Sequence, residues 1–224
     1  GKLKIFVKEV TERCRWLIFV YESKGVNMAN ECMDTVVFYA ESEDQEKGLF
    51  KFREAVMSCY GIKMPADESS LIQIFKINGI TANDISLRSN VVYSVFDSGY
   101  VKLECISAWS PPYEAYSRLA ESFGISFVLQ AEEPGFSVYI NTDMDKKFLT
   151  VEYKVYLRER PEDHSLDSLF HHAGGDTDFY FDSDGELLEG FREYGSVNAG
   201  TVQELRACMD EKYVCLYEFE NPYQ

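Results

Sequence analysis

The chain lacks any apolar run long enough to cross a bilayer, which takes about 20 residues. The apolar stretch from Arg15 to Tyr21 (RWLIFVY) is much shorter than that. It also has no small-residue cleavage site of the kind that ends a signal peptide, so it predicts a buried strand. We therefore expect no association with a membrane.

Paired cysteines are lacking as well. The six cysteines are far apart and form no C-x-x-C motif, and they are Cys14, Cys32, Cys59, Cys105, Cys208 and Cys215. A chain of 224 residues buries enough apolar surface to fold without disulfides, and a buried free cysteine behaves as a small apolar side chain. We expect free thiols and a cytoplasmic location, because disulfides are rare in that compartment.

Basic residues are scarce and unevenly distributed. The chain has 22 Lys and Arg against 38 Asp and Glu, a net charge of −16. Residues 161–224 hold 15 acidic and 3 basic residues, whereas residues 1–27 have a net charge of +3. Because so acidic a surface repels phosphate, direct binding to nucleic acid is disfavoured. The acidic segment is compatible with a solvated face that keeps the protein soluble, with a basic protein partner, or with imitation of DNA.

Motifs of common enzyme classes are absent too. The sequence has no glycine-rich phosphate loop, no G-x-S-x-G nucleophile elbow and no stripe of interleaved basic and aromatic residues. The carboxylates of Glu132, Glu133, Asp143 and Asp145 lie near predicted strand ends, where exposed carboxylates are common. We expect no cofactor, and we interpret the chain as a binding protein rather than an enzyme.

What the sequence does contain is a regular succession of strands and helices. The strands are rich in β-branched and aromatic residues, and the helices carry apolar residues at helical spacing. The predicted order is strand, helix, strand, strand, helix, strand, at residues 34–40, 42–60, 91–97, 100–108, 111–123 and 125–131. This order indicates an α+β protein with a ferredoxin-like β-α-β-β-α-β core, an antiparallel sheet with its helices on one face.

The two predicted helices have recognisable signals at their ends. The S-x-x-Q motif that starts at Ser42 predicts a capping box before the first helix. Ser110 and Pro111 suit the N-cap and the first position of the second helix, and Gly124 suits a left-handed residue just after its end. Leu119 lies at the centre of the apolar stripe of that helix.

Three segments resemble the YubB ferredoxin-like-domain family. They are MANECMDTVVFYAES at 28–42, AWSPP at 108–112 and EEPG at 132–135. The chain departs from the family pattern at Glu31, where the family usually has Trp, and at Asp34, where it usually has Asn. The family is typical of plasmids, phages and related bacterial mobile DNA, and its biochemical activity is not established. The resemblance implies a ferredoxin-like fold over residues 28–157 and a role as an accessory product of bacterial mobile DNA.

The segments outside this core give shorter patterns. Residues 1–27 are predicted to form a β-hairpin extension, and residues 158–224 an acidic C-terminal appendage that packs on the same domain. We expect strands at 3–10, 15–22, 72–77, 136–141, 147–157 and 213–219, helices at 161–172 and 201–212, and a hairpin at 179–188.

All three histidines lie close together, at His164, His171 and His172. With Asp167 and Asp176 they offer the ligand types of a transition-metal site. On a helix, however, His164 and His171 are about 10.5 Å apart along the axis, too far to bind one ion, whereas Asp167 and His171 are close enough to share one. We expect no bound metal, and a metal-dependent hydrolase that uses Asp167, His171, His172 and Asp176 is an alternative.

One pair of segments forms a candidate binding surface. Its residues follow two predicted strands and are Trp109, Ser110, Pro111, Glu133, Pro134 and Gly135. Trp109 is expected either to line a small surface pocket with the Glu-Pro-Gly turn or to pack beneath the start of a helix.

The function we infer is binding to a protein partner of unknown identity, with a basic surface as its expected chemistry. An acidic DNA mimic that inhibits a host nucleic-acid-binding protein is the other alternative.

Overall fold

The protein is an α+β protein, as the sequence predicts. The structure is a computed structural model that describes residues 4–10, 14–20, 30–60, 68–158 and 177–224, the first two ranges as backbone only. The chain divides into two compact units, Gly1–Val138 and Tyr139–Gln224. The domain limits inferred from the sequence, 1–27, 28–157 and 158–224, stay predictions.

The largest sheet in the described part of the chain is antiparallel and has five strands. The strands up to residue 141 are β1 (Lys4–Val10), β2 (Cys14–Val20), β3 (Glu31–Tyr39), β4 (Ser89–Phe96), β5 (Tyr100–Ala108), β6 (Ser126–Glu133) and β7 (Val138–Asn141). β1 and β2 pair with each other, as the predicted hairpin requires. The remaining five strands take the order β4-β5-β3-β6-β7, so β3 and β5 are both interior.

Helices cover one face of this sheet. They are α1 (Glu43–Cys59), α2 (Ser70–Ile77) and α3 (Tyr113–Phe123). Phe38 of β3 is fully buried, and its ring centroid lies 4.4 Å from that of Phe52 on α1 and 6.2 Å from that of Tyr116 on α3. Because one strand residue contacts both helices, α1 and α3 pack on the same face.

The predicted first helix is confirmed with its cap. The Ser42 hydroxyl accepts from the Gln45 N–H at 3.4 Å, and Gln45 Oε1 accepts from the Glu41 N–H at 2.6 Å. These bonds satisfy N–H groups that have no partner within the helix. The apolar stripe that the sequence assigns to the core side of α1 is buried at Leu49, Phe52, Ala55 and Val56.

The predicted start of α3 is wrong by two residues. The helix begins at Tyr113 with Pro112 as the N-cap residue, and no side chain in the described part of the chain caps it. Pro112 is the cause, because the residue that precedes a proline is disfavoured in the helical region, and here that residue is Pro111. The predicted end is confirmed, since Gly124 is left-handed (φ 63°) and its N–H donates to Ala120 O.

Two further predictions are corrected, both at helices with serine caps. Residues 72–77, predicted as a strand, belong to α2, where Ser69 accepts from the Ile72 N–H at 3.3 Å. Residues 179–188, predicted as a hairpin, contain the end of β9 (Asp178–Phe181) and the start of α4 (Asp184–Tyr194). Ser183 accepts from the Glu186 N–H at 3.2 Å, so the Asp-Gly pair lies in a first helical turn.

The second unit contains a three-stranded antiparallel sheet and two helices. Its other elements are β8 (Tyr153–Leu157), α5 (Val202–Cys208) and β10 (Val214–Glu218), and the strand order is β10-β8-β9. Alternate residues of β8 pack against buried side chains of α4 and α5, among them Leu187, Phe191 and Leu205. The helix predicted at 161–172 lies outside the described residues.

The strand predicted at 147–157 is shorter than expected, because side chains bind the backbone of its first half. Asn141 Nδ2 donates to the carbonyls of Leu149 and Val151, at 2.9 and 3.0 Å. Asp143 Oδ2 accepts from the Phe148 and Leu149 N–H groups, at 2.6 and 2.9 Å. These bonds take up the groups that a strand partner would use, so β8 starts only at Tyr153.

Candidate functional site

The two segments of the predicted binding surface meet at one edge of the five-stranded sheet. β3 begins there and β5 ends there, since Glu31 pairs with Ala108. β6 ends at the same edge, because Glu132 pairs with Met33. The residues that follow β5 and β6 therefore lie side by side, although they are distant in the sequence.

Trp109 contacts Phe136 at this edge, and we call these two residues the aromatic pair. Their ring centroids are 5.5 Å apart, with 46° between the ring planes. Trp109 is 44% exposed and Phe136 is 59% exposed. The sequence indicates Trp109 as a candidate but not Phe136, which follows the Glu-Pro-Gly turn directly. This contact brings Trp109 to the residue that directly follows the Glu-Pro-Gly turn. Both expectations for Trp109, a small surface pocket and packing beneath a helix start, stay predictions.

The backbone of Trp109 has an unusual conformation. Its φ of 74° lies in the left-handed region, which a bulky residue adopts only when its surroundings enforce it. The Trp109 N–H donates to the carbonyl of Asn30 at 3.1 Å, just before β3 begins. The start of β3 therefore fixes the position of the tryptophan.

The partner ring is fixed by Glu133. This residue is buried, and its carboxylate accepts from the Gly135 N–H at 3.1 Å and from the Phe136 N–H at 2.6 Å. The turn is a short 3-10 helix at Pro134–Phe136. A Cβ atom on Gly135 would lie 2.8 Å from Glu133 Oε1, so a larger residue there would displace the carboxylate that binds the turn. Glu133 thus orders the turn that presents Phe136, while Ser110 is exposed and Pro111 is buried.

A buried carboxyl group lies three residues into β3. Asp34 is 2% exposed, and one of its oxygens, Oδ2, accepts from the Tyr116 hydroxyl of α3. The Tyr116 oxygen is also 3.3 Å from Ser89 Oγ. The other oxygen, Oδ1, has no hydrogen-bond partner among the residues that the structure describes. Asp34 has no role in the functional site predicted from the sequence, although its position among the inward-facing apolar residues of β3 marks it as unusual.

This environment favours the neutral form of Asp34. Burial raises the pKa of its carboxyl group to about 6, while the nearby hydroxyls of Tyr116 and Ser107 act in the opposite direction. Burial and then the Asp34 carboxylate also raise the pKa of the neighbouring thiols of Cys32 and Cys105. Such thiols are protonated at neutral pH and are poor nucleophiles. The first unit therefore contains an internal polar cluster, at Asp34, Tyr116 and Ser89, in addition to the exposed aromatic pair.

The sequence also contains weaker candidates for a functional site, namely possible metal ligands and free cysteines. Asp167, His171, His172 and Asp176 lie outside the described residues. Within residues 30–60, 68–158 and 177–224, no group of three or more His, Cys, Asp or Glu side chains could hold a metal ion. Five cysteines have described side chains, and all are free thiols. The described helices include none with the length and apolarity to cross a membrane.

Comparison with family models, curated proteins and solved structures found no match to this chain.

Proposed function

We propose that the chain is a non-enzymatic interaction protein and that the aromatic pair is the centre of its binding surface. The observation that carries this proposal is the contact between two half-exposed aromatic rings on a fixed backbone. Trp and other large aromatic side chains dominate the binding energy of many interfaces. A backbone held by Asn30 and Glu133 leaves little to be ordered on binding, which favours affinity.

The partner we propose is a basic protein. Glu31 is exposed and Glu132 is half-buried, and both lie at the same edge of the sheet as Trp109. The whole chain has a net charge of −16. A Lys or Arg side chain gains from the face of an exposed tryptophan and from carboxylates nearby. Both features favour a ligand that brings a cation to Trp109.

For the fold, we propose a ferredoxin-like core. The order β4-β5-β3-β6 with antiparallel pairing, and α1 and α3 on one face, supports it. We further propose that the chain is related to the YubB ferredoxin-like-domain family and is an accessory product of bacterial mobile DNA. In favour of this, the AWSPP motif contains Trp109 and the EEPG motif directly precedes Phe136, so both motifs lie at the aromatic pair.

An acidic DNA mimic is a second candidate, and one observation on α4 favours it. Glu186, Glu189 and Glu193 are exposed and spaced three and four residues apart, so they form one acidic stripe. A regular row of carboxylates presents charge to a basic groove much as phosphates do. In this case the partner is a nucleic-acid-binding protein, and the contact is made by α4 rather than by the aromatic pair.

A comparison of captured proteins tests both candidates. The wild-type protein, Trp109→Ala and Phe136→Ala are immobilised and incubated with bacterial lysate, and the captured proteins are identified by mass spectrometry. We expect basic proteins on the wild type and at least about tenfold less of them on both variants, the usual size of an interface hot-spot effect. Met144→Ala is the matched control, because Met144 is an exposed apolar residue (63%) of the second unit.

The outcomes separate the two surfaces. If both aromatic variants capture as much as the wild type, the aromatic pair is not the binding surface. If capture is instead lost on joint replacement of Glu186, Glu189 and Glu193 by Lys, and the lost proteins bind nucleic acid, the mimic is the correct function.

A further inference from the structure

The internal polar cluster contains a carboxyl group that is only half satisfied. Asp34 Oδ2 accepts from the Tyr116 hydroxyl, whereas Oδ1 is buried and has no hydrogen-bond partner within the described ranges. A buried carboxylate is stable only where donors or cations compensate its charge. When Asp34 is ionised, the free energy of the protein therefore falls if water reaches Oδ1.

The groups around Asp34 do not supply this compensation. In the part of the chain that the structure describes, the buried residues of α1 and α2 are apolar. The titratable and hydroxyl groups near the carboxyl are neutral or acidic, and they are Cys32 on β3, Ser89 on β4, Cys105 and Ser107 on β5, Glu133 on β6 and Tyr116 on α3. The carboxylates of Glu104 and Glu132 also act on the two thiols, so the local potential is negative.

Tyr116 connects the cluster to the aromatic pair through the start of α3. Its N–H donates to the Pro112 carbonyl at 3.2 Å, which closes the first turn of the helix. The φ angles of the two prolines before α3 are fixed by their rings, so a movement of this turn reaches Trp109 with little loss. The other support of Trp109 is the Asn30 carbonyl, which lies four residues before Asp34 on the same segment. Both supports of the tryptophan are therefore close to the carboxyl group.

We propose that ionisation of Asp34 loosens the first turn of α3, which admits water to Oδ1 and releases Trp109 from its fixed position. The aromatic pair is then ordered while Asp34 is protonated and less ordered once the group is charged. Because burial raises the pKa of Asp34 to about 6, the change occurs as the pH rises through that value. As a control of binding this inference rests on the proposed function, whereas the coupling of Asp34 to Trp109 needs no partner.

Fluorine NMR of the full chain labelled with fluorotryptophan tests the coupling. The chain has two tryptophans, Trp16 and Trp109, and Trp16→Phe assigns their signals. The Trp109 signal is expected to shift with pH and to have its midpoint near pH 6. Asp34→Asn removes the titrating group, so this shift should disappear.

Two further variants test the path and its specificity. Tyr116→Phe keeps the ring but removes the hydroxyl that lowers the pKa of Asp34, so the midpoint should move to higher pH. Glu114→Gln is the matched control, because it removes an exposed carboxylate from the same turn of α3 and should leave the midpoint unchanged.

The outcomes are read without any binding partner, so they stand whether or not the aromatic pair binds a basic protein. A Trp109 signal that does not titrate near pH 6 in the wild type overturns the proposal. The same titration in Asp34→Asn also overturns it, because another group would then be responsible. An unchanged midpoint in Tyr116→Phe overturns the path through Tyr116.

Discussion

Asp34 places a carboxyl group in a part of the sheet that otherwise buries apolar side chains. In the folded protein, burial keeps its pKa at about 6, whereas an unfolded chain exposes the group to water and releases the proton near pH 4. Between these two values the folded state holds more protons than the unfolded state. The contribution of Asp34 to stability is therefore greatest below pH 4 and is lost as the pH rises through 6.

Asp34→Asn should remove this pH dependence. The expected effect is a variant that is more stable than the wild type at pH 7, by up to roughly 3 kcal/mol, and that loses this advantage near pH 4. An asparagine side chain has nearly the same shape as that of aspartate. Its amide oxygen can accept the hydrogen bond from the Tyr116 hydroxyl, but it carries no charge. Urea denaturation followed by tryptophan fluorescence at pH 4, 5.5 and 7 measures the difference between the two proteins. A difference that is the same at all three values would mean that Asp34 does not titrate in this range.

Serines near the starts of helices differ in how much they contribute to the stability of the fold. Ser183 accepts from the Glu186 N–H at 3.2 Å and caps α4, whereas Ser110 lies before two prolines and does not cap α3. Ser183→Ala should therefore cost about 1 kcal/mol of stability, the usual effect of a lost N-cap. Ser110→Ala, which changes the same atoms at an exposed position, should cost close to nothing. Denaturation followed by far-UV circular dichroism compares the two, and equal losses would contradict this assignment of caps.

Leu119 is the buried centre of α3. It is fully buried between helix and sheet, so Leu119→Ala removes apolar contacts and leaves a cavity. We expect a loss of about 2–5 kcal/mol in the free energy of unfolding, measured by chemical denaturation. Ser117→Ala, on the more exposed side of the same helix, serves as the control. A loss below about 0.5 kcal/mol for Leu119→Ala would contradict its buried position.

The elements that the sequence predicted well are those whose signals lie within one helical turn. The Ser42 capping box and Gly124 each depend on residues a few positions away, and both are confirmed. The strand predicted at 72–77 is wrong. Its isoleucines favour a strand, but Leu71, Ile74 and Phe75 have the spacing of a buried helical face. At this segment the composition indicates a strand and the spacing of the apolar residues indicates a helix, and the packed structure agrees with the spacing.

The candidate site was predicted only in part, for a different reason. Trp109 and the Glu-Pro-Gly turn stand out in the sequence, but their contact arises from the register of β3 with β5 and β6. The bond between the Trp109 N–H and Asn30 joins a strand start to a strand end. Such contacts depend on the pairing of distant segments, which residue patterns do not specify. Phe136 could have been found only once that pairing was known.

For the molecule as a whole, the charge distribution predicts no affinity for duplex DNA. The last 64 residues hold 15 acidic and 3 basic residues, which give a repulsive field towards phosphate. Fluorescence anisotropy with labelled duplex DNA at about 0.1 M salt, where the screening length is near 10 Å, is the measurement. Binding near about 1 μM that weakens steeply as salt is added would instead show a basic face on the protein.

The division into two compact units also determines what each spectroscopic signal reports. Both tryptophans, Trp16 and Trp109, belong to Gly1–Val138, so fluorescence excited selectively at tryptophan reports the melting of that unit. Circular dichroism follows both units, since α4 and α5 lie in Tyr139–Gln224. The Ser183→Ala variant then separates two cases: a shift in both signals means that the units melt cooperatively, and a shift in dichroism alone means that they melt as independent bodies.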